Sequence, residues 1–102
     1  MVHVIATVRL HPGKREAFLE VFRGVVPAVR AEEGCVEYGP TADVDPGLPG
    51  LSPPEADVVT VVEKWRDVEC LSRHLRAPHV LAYRDRVKDW VAASSIRVTE
   101  PV

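Results

Sequence analysis

The chain opens on a period of two. Val2, Val4, Ala6, Val8 and Leu10 fall on one face, and His3, Ile5, Thr7 and Arg9 on the other. That alternation predicts a strand, broken by His11-Pro12-Gly13. From 14 to 33 the apolar spacing lengthens to three and four residues. Phe18, Val21, Phe22, Val25 and Val29 share one stripe, the mark of an amphipathic helix. Pro27 lies within this run and has no backbone donor, so a kink or restart is expected there. Gly34 follows as a natural helix stop.

Cys35–Gly39 reads as a short second strand. The segment 40–57 then loses all periodicity and holds five of the nine prolines. Connections this long in small domains are lids, binding loops or disordered segments. Periodicity returns at 58–66, where Val58, Val59, Val61 and Val62 make both faces of a third strand apolar. Such a run reads as a strand covered on both sides. Asp67 can cap a short helix with the stripe Val68, Leu71 and Leu75. Pro78 suits the first position of a further helix, expected to reach Ala92 on the stripe Val80, Tyr83, Val87 and Val91. Ile96 and Val98 alternate with Arg97 and Thr99 in a last strand over 95–100.

The order β-α-β-β-α-β, with its second helical region split at Pro78, predicts an α+β, ferredoxin-like fold. It is an antiparallel four-stranded sheet with helices on one face. The valine-rich third strand requires cover on the other face, and a two-fold related copy is the commonest way to supply it.

Length and composition narrow the function. A chain of 102 residues is expected to form one domain (1–102, core about 2–100). Thirteen Lys and Arg against fifteen Asp and Glu argue against a nucleic-acid partner. No apolar run approaches a bilayer's thickness, so no membrane association is expected. Cys35 and Cys70, without CxxC spacing, read as free thiols in a reducing compartment. With no signal peptide visible, a cytoplasmic protein is expected.

Two groups of residues carry a family likeness: Val26-Pro27 followed by Glu32-Glu33-Gly34-Cys35-Val36-Glu37-Tyr38, then Glu63-Lys64-Trp65, Leu71, His74-Leu75, Pro78-His79 and Tyr83. Together they resemble the antibiotic biosynthesis monooxygenase superfamily, and within it the small bacterial quinol monooxygenases. The resemblance implies a dimeric α+β barrel built from two ferredoxin-like subunits. It also implies oxidation of a quinol or hydroxylated aromatic by O₂ with no metal, haem or flavin cofactor. The family includes haem-degrading members and isomerases, so a non-oxidative binding dimer or an isomerase stands as the alternative. The residues used by haem-degrading members, an Asn, a Trp and a His, align approximately with Thr7, His74 and Arg84, which marks haem degradation down.

Cofactor-free oxidation needs a base near neutral pKa, a dry aromatic-walled cavity, and a dipole or cation for the phenolate. His74 and His79 are the catalytic candidates, because imidazole titrates near neutral pH; either could instead serve only as a helix cap. Their spacing spans a proline and has no third ligand in a recognised pattern, so no metal site is expected. Trp65, Tyr38, Tyr83, Glu63 and Arg84 are the candidate substrate-binding residues. Trp65 could wall the pocket or be core. Glu63, on a mostly apolar strand face, must be paired, exposed or functional; its simplest partner is an Arg across the sheet or a subunit interface. Tyr38 and Tyr83 offer hydroxyls, and Arg84 could hold an anionic oxygen or lie along the surface. Cys70 and His74, four apart on one helix, could form a thiolate–imidazole pair, but small buried thiols are the simpler reading.

Overall fold

A computed structural model describes all residues, 1–102. Strand β1 (Val2–Leu10) is followed by helix α1 (Arg15–Arg30), β2 (Cys35–Ala42), β3 (Val58–Trp65), α2 (Val68–Leu75), α3 (Pro78–Val87), a 3₁₀ turn (Lys88–Trp90) and β4 (Val91–Thr99). The strands form one open sheet in the order β2-β3-β1-β4, antiparallel throughout. This is the predicted ferredoxin-like α+β arrangement, with the second helical region split at Pro78.

The period-two pattern of β1 sets the inner face. Val2, Val4 and Val8 are buried there, in register with Trp65, Glu63 and Val59 of β3. Phe18, Phe22 and Val29 of α1 close over them and are fully buried. Phe18 stacks on Phe22 within α1, and the Phe22–Tyr38 stack ties α1 to β2. The outer face carries Ile5, Thr7, Thr60 and Val62, which are exposed or half-buried within one chain.

Several details differ from the sequence reading: α1 ends at Arg30 instead of 33, and β4 begins at Val91 instead of 95. Helix α1 runs through Pro27 without a break. The carbonyl freed by the proline belongs to Arg23 on the exposed side of the helix, where water can satisfy it. Strand β2 continues past Gly39 to Ala42, because it is an edge strand and an edge tolerates Pro40. The last helix stops at Val87 instead of Ala92. Val91 and Ala93 are taken up in pairing with Leu10 and Arg9, and the Trp90 carbonyl accepts from the His11 N–H at 2.9 Å. Ladder pairing outweighs the modest helix preference of the two alanines there.

The helices cover β3 and most of β1 but leave β4 open; Ser94, Ile96 and Val98 are exposed. The segment after Ala42 is exposed and held at its far end by the Arg9–Glu55 ion pair at 2.8 Å. No helix is long and apolar enough to cross a membrane.

Candidate active site

Between the helices and the inner face of the sheet lies a cavity of about 360 Å³, within the range of small-molecule sites. Its floor is buried: Val4, Phe22, Tyr38, Val61, Glu63 and His74. Its rim is exposed: Arg84 and Lys88 on the α3 side, Ser94 and Ile96 on β4. The mouth therefore opens between α3 and the strand that the helices leave uncovered.

Glu63 reaches the floor because β3 alternates, which aims Val59, Val61, Glu63 and Trp65 inward together. Its partners within the chain are not arginines. Trp65 Nε1 donates to Glu63 Oε1 at 2.9 Å, and His74 Nε2 lies 3.9 Å from the same oxygen. Burial pushes the Glu63 carboxyl above its ordinary range, against the opposing pull of the Trp65 hydrogen bond, His74 and Arg84. Trp65 does not line the cavity. It is fully buried behind it, its ring 4.6 Å from the His74 ring, and supports the two polar groups of the floor.

His74 is held on its other edge by a residue that the sequence reading passed over. Glu32 Oε2 is 3.0 Å from His74 Nδ1 and 2.9 Å from His79 Nε2. Glu32 lies in the turn after α1. Gly34, with φ of +79°, reverses the chain there and packs its bare Cα against the Cys70 side chain of α2. That close approach brings the end of α1 within reach of His74, one helical turn beyond Cys70. The signal available in sequence was a Glu-Glu-Gly run at a helix end, which looks like any solvated terminus.

Of the seven candidate residues, the cavity brings together His74, Glu63, Tyr38, Tyr83 and Arg84. His79 lies outside it, in a groove between α1 and α3. The two tyrosines are packed around Phe22, at 5.5 and 5.4 Å between ring centroids. Burial pushes the Tyr83 phenol up to about 12 and the Tyr38 phenol higher still. Both therefore remain hydrogen-bond donors at any physiological pH. Arg84 lies close enough to lower the proton affinity of Glu63, Tyr38 and Tyr83 by its charge.

Cys35 and Cys70 are free. Cys70 is not paired with His74; Arg66 and Arg73 reach its Sγ at 3.2 and 3.7 Å, and both also bind Glu33. No three His, Cys, Asp or Glu side chains are arranged to hold a metal ion.

The chain's relatives agree with this architecture. Residues 1–86 match the family model described as antibiotic biosynthesis monooxygenase. A protein of Escherichia coli K12 named "Probable quinol monooxygenase YgiN" is 37% identical over 103 aligned positions, covering 99% of this chain and 98% of that one. The crystal structure of PA3566 from Pseudomonas aeruginosa superposes with a TM-score of 0.82 at 26% identity, over 99% of this chain and 93% of that one. Rv0793 from Mycobacterium tuberculosis gives 0.81 at 25%, over 99% and 94%. The chain belongs to the antibiotic biosynthesis monooxygenase family.

Proposed function

We propose that this protein is a monooxygenase that oxidises a quinol or a related hydroxylated aromatic with O₂, using no resident cofactor. The observation that carries the reading is the Glu63–His74 couple on the floor of a largely apolar cavity walled in part by aromatic rings. Triplet O₂ reacts poorly with a closed-shell phenol and far better with its anion. A site that removes the hydroxyl proton in a dry pocket thus supplies the activation the reaction needs.

In this reading the ring lies against Phe22 and Val61. The hydroxyl proton passes to His74, with Glu63 alongside to stabilise the imidazolium. Tyr38 or Tyr83 donates to the oxygen left behind, and Arg84 at the mouth offsets the anionic charge. The phenolate gives electrons to O₂ and one oxygen atom bonds to ring carbon. The other leaves as water, so a quinol plus O₂ becomes a hydroxyquinone plus water. The relative named a probable quinol monooxygenase supports the substrate class.

The same reading takes the molecule as a homodimeric α+β barrel, with the outer sheet face carrying Ile5 and Val62 turned toward a second copy.

The test is O₂ uptake with a panel of mono- and bicyclic quinols, with ¹⁸O₂ incorporation followed by mass spectrometry. Uptake above autoxidation, with one labelled atom in the product, is expected. Uptake at the autoxidation rate across the panel refutes the assignment.

A further inference from the structure

We propose that Glu32 positions His74 for proton acceptance and, together with His79, forms the outer half of a proton path from the cavity floor to the α1/α3 groove. The proposal rests on the reading of His74 as the proton acceptor.

A carboxylate offers only acceptor sites. Glu32 Oε2 is within hydrogen-bond distance of His74 Nδ1 (3.0 Å) and His79 Nε2 (2.9 Å). Each of those nitrogens therefore carries a hydrogen when it binds the carboxylate. For neutral His74 this fixes the Nδ1–H tautomer and leaves Nε2 bare. Nε2 is the nitrogen that faces Glu63 and the cavity. The ring is held in that pose by Trp65 on one side and by the edge contact with Tyr38 at 5.3 Å on another. An outer carboxylate that sets the tautomer and orientation of a working imidazole is a recurrent arrangement in enzymes.

The path follows from where water can reach. The His74 side chain is only 3% exposed. In the proposed function a bound aromatic occupies the cavity below the mouth between α3 and β4, on the side of His74 away from His79. The opposite side is open. The His79 side chain is 34% exposed and lines a groove where Gly24, Ala28 and Ala82 present little bulk. A proton taken up at Nε2 of His74 releases the Nδ1 hydrogen to Glu32. At rest His79 carries its hydrogen on Nε2; exchange with water moves that hydrogen to Nδ1, Glu32 then protonates the bared Nε2, and the imidazolium loses its Nδ1 proton to water, which restores the resting tautomer. When the second oxygen atom of O₂ leaves as water, one proton returns by the same route, so no net proton is produced or consumed.

Two measurements decide this. In ¹⁵N-histidine-labelled protein, His74 is expected to show a protonated Nδ1 and a bare Nε2. The reverse tautomer overturns the positioning role, whether or not the protein oxidises quinols. His79→Gln keeps a donor for Glu32 but cannot relay a proton. It is expected to lower kcat about 100-fold, the lower end of what positioned proton transfer contributes, with KM within about twofold and kcat restored by added imidazole. An unchanged kcat, or a loss that imidazole does not restore, overturns the path. If the wild-type protein oxidises no quinol, the proposed function falls while the tautomer measurement still tests the role of Glu32.

Discussion

Glu63→Gln isolates the electrostatics of the cavity floor. The glutamine retains an oxygen that can accept from Trp65 Nε1, so the buried hydrogen bond persists while the ionisable group is removed. Wild-type Glu63 is 5% exposed and its carboxyl is displaced upward, chiefly by burial. A carboxyl whose folded-state pKa lies above its unfolded value binds its proton more tightly when folded. Below the ordinary Glu range both states are protonated and the ionised carboxylate imposes no penalty. As pH rises through the weakly acidic range the unfolded state ionises first, and stability falls until the folded-state value is passed. Burying a carboxylate costs several kcal/mol, and its charge-assisted bond from Trp65 returns about 1 kcal/mol more than a neutral one would. The variant should therefore exceed wild type by about 1–3 kcal/mol at pH 8, roughly 4–20 °C in Tm for a domain of this size, and match it at pH 4. Thermal unfolding followed by circular dichroism across pH 4–8 measures this. A difference that is independent of pH, or a variant less stable at pH 8, refutes the reasoning.

Gly34→Ala and Gly13→Ala form a matched pair, because both glycines have φ near +80°. A Cβ at Gly13 meets nothing within 4 Å, whereas at Gly34 it comes within 2.8 Å of Cys70 Cβ. Gly13→Ala should cost about 1–2 kcal/mol for the left-handed backbone alone, and Gly34→Ala about 1–3 kcal/mol more for overpacking. Urea denaturation compares them, and equal losses would rule out the close contact between the α1 turn and α2. The chain's two tyrosines are both displaced upward. Ultraviolet titration of the folded protein should show no phenolate step with a midpoint near pH 10, and such a step would contradict the burial of their hydroxyl ends.

The elements that could be read from the sequence are those whose pattern is local. Strand β1 alternates and spans its expected range, and α1 repeats its stripe and lies within the expected 14–33, ending three residues early at Arg30. The misplaced boundaries were decided by distant partners. Val91 and Ala93 became strand because Leu10 and Arg9 lie beside them, and Pro40 stayed in β2 because no further strand needs its missing N–H. Neither fact is written within a window of neighbouring residues. Pro27 taught the converse lesson: a helix breaker is tolerated where the carbonyl it strands faces water.

The candidate site divides in the same way. Glu63 was conspicuous because a carboxylate interrupts an apolar strand face, and a polar residue in an apolar pattern has few innocent explanations. Its partner was not conspicuous, since Trp65 two residues on reads as core, and it is core. It is also the donor that satisfies one Glu63 oxygen while its ring flanks His74. Glu32 was concealed by the opposite circumstance. An acidic residue beside Glu33 at a helix end is usually solvated, and Glu33 behaves that way, bridging Arg66 and Arg73 at the surface. Glu32, its immediate neighbour, turns inward because Gly34 lets the chain double back onto Cys70 and carries the α1 terminus up to α2 and α3. Two adjacent glutamates thus acquire opposite environments from one glycine's backbone angle. Without that angle His74 would still border the cavity, but no carboxylate would determine which of its nitrogens carries the hydrogen.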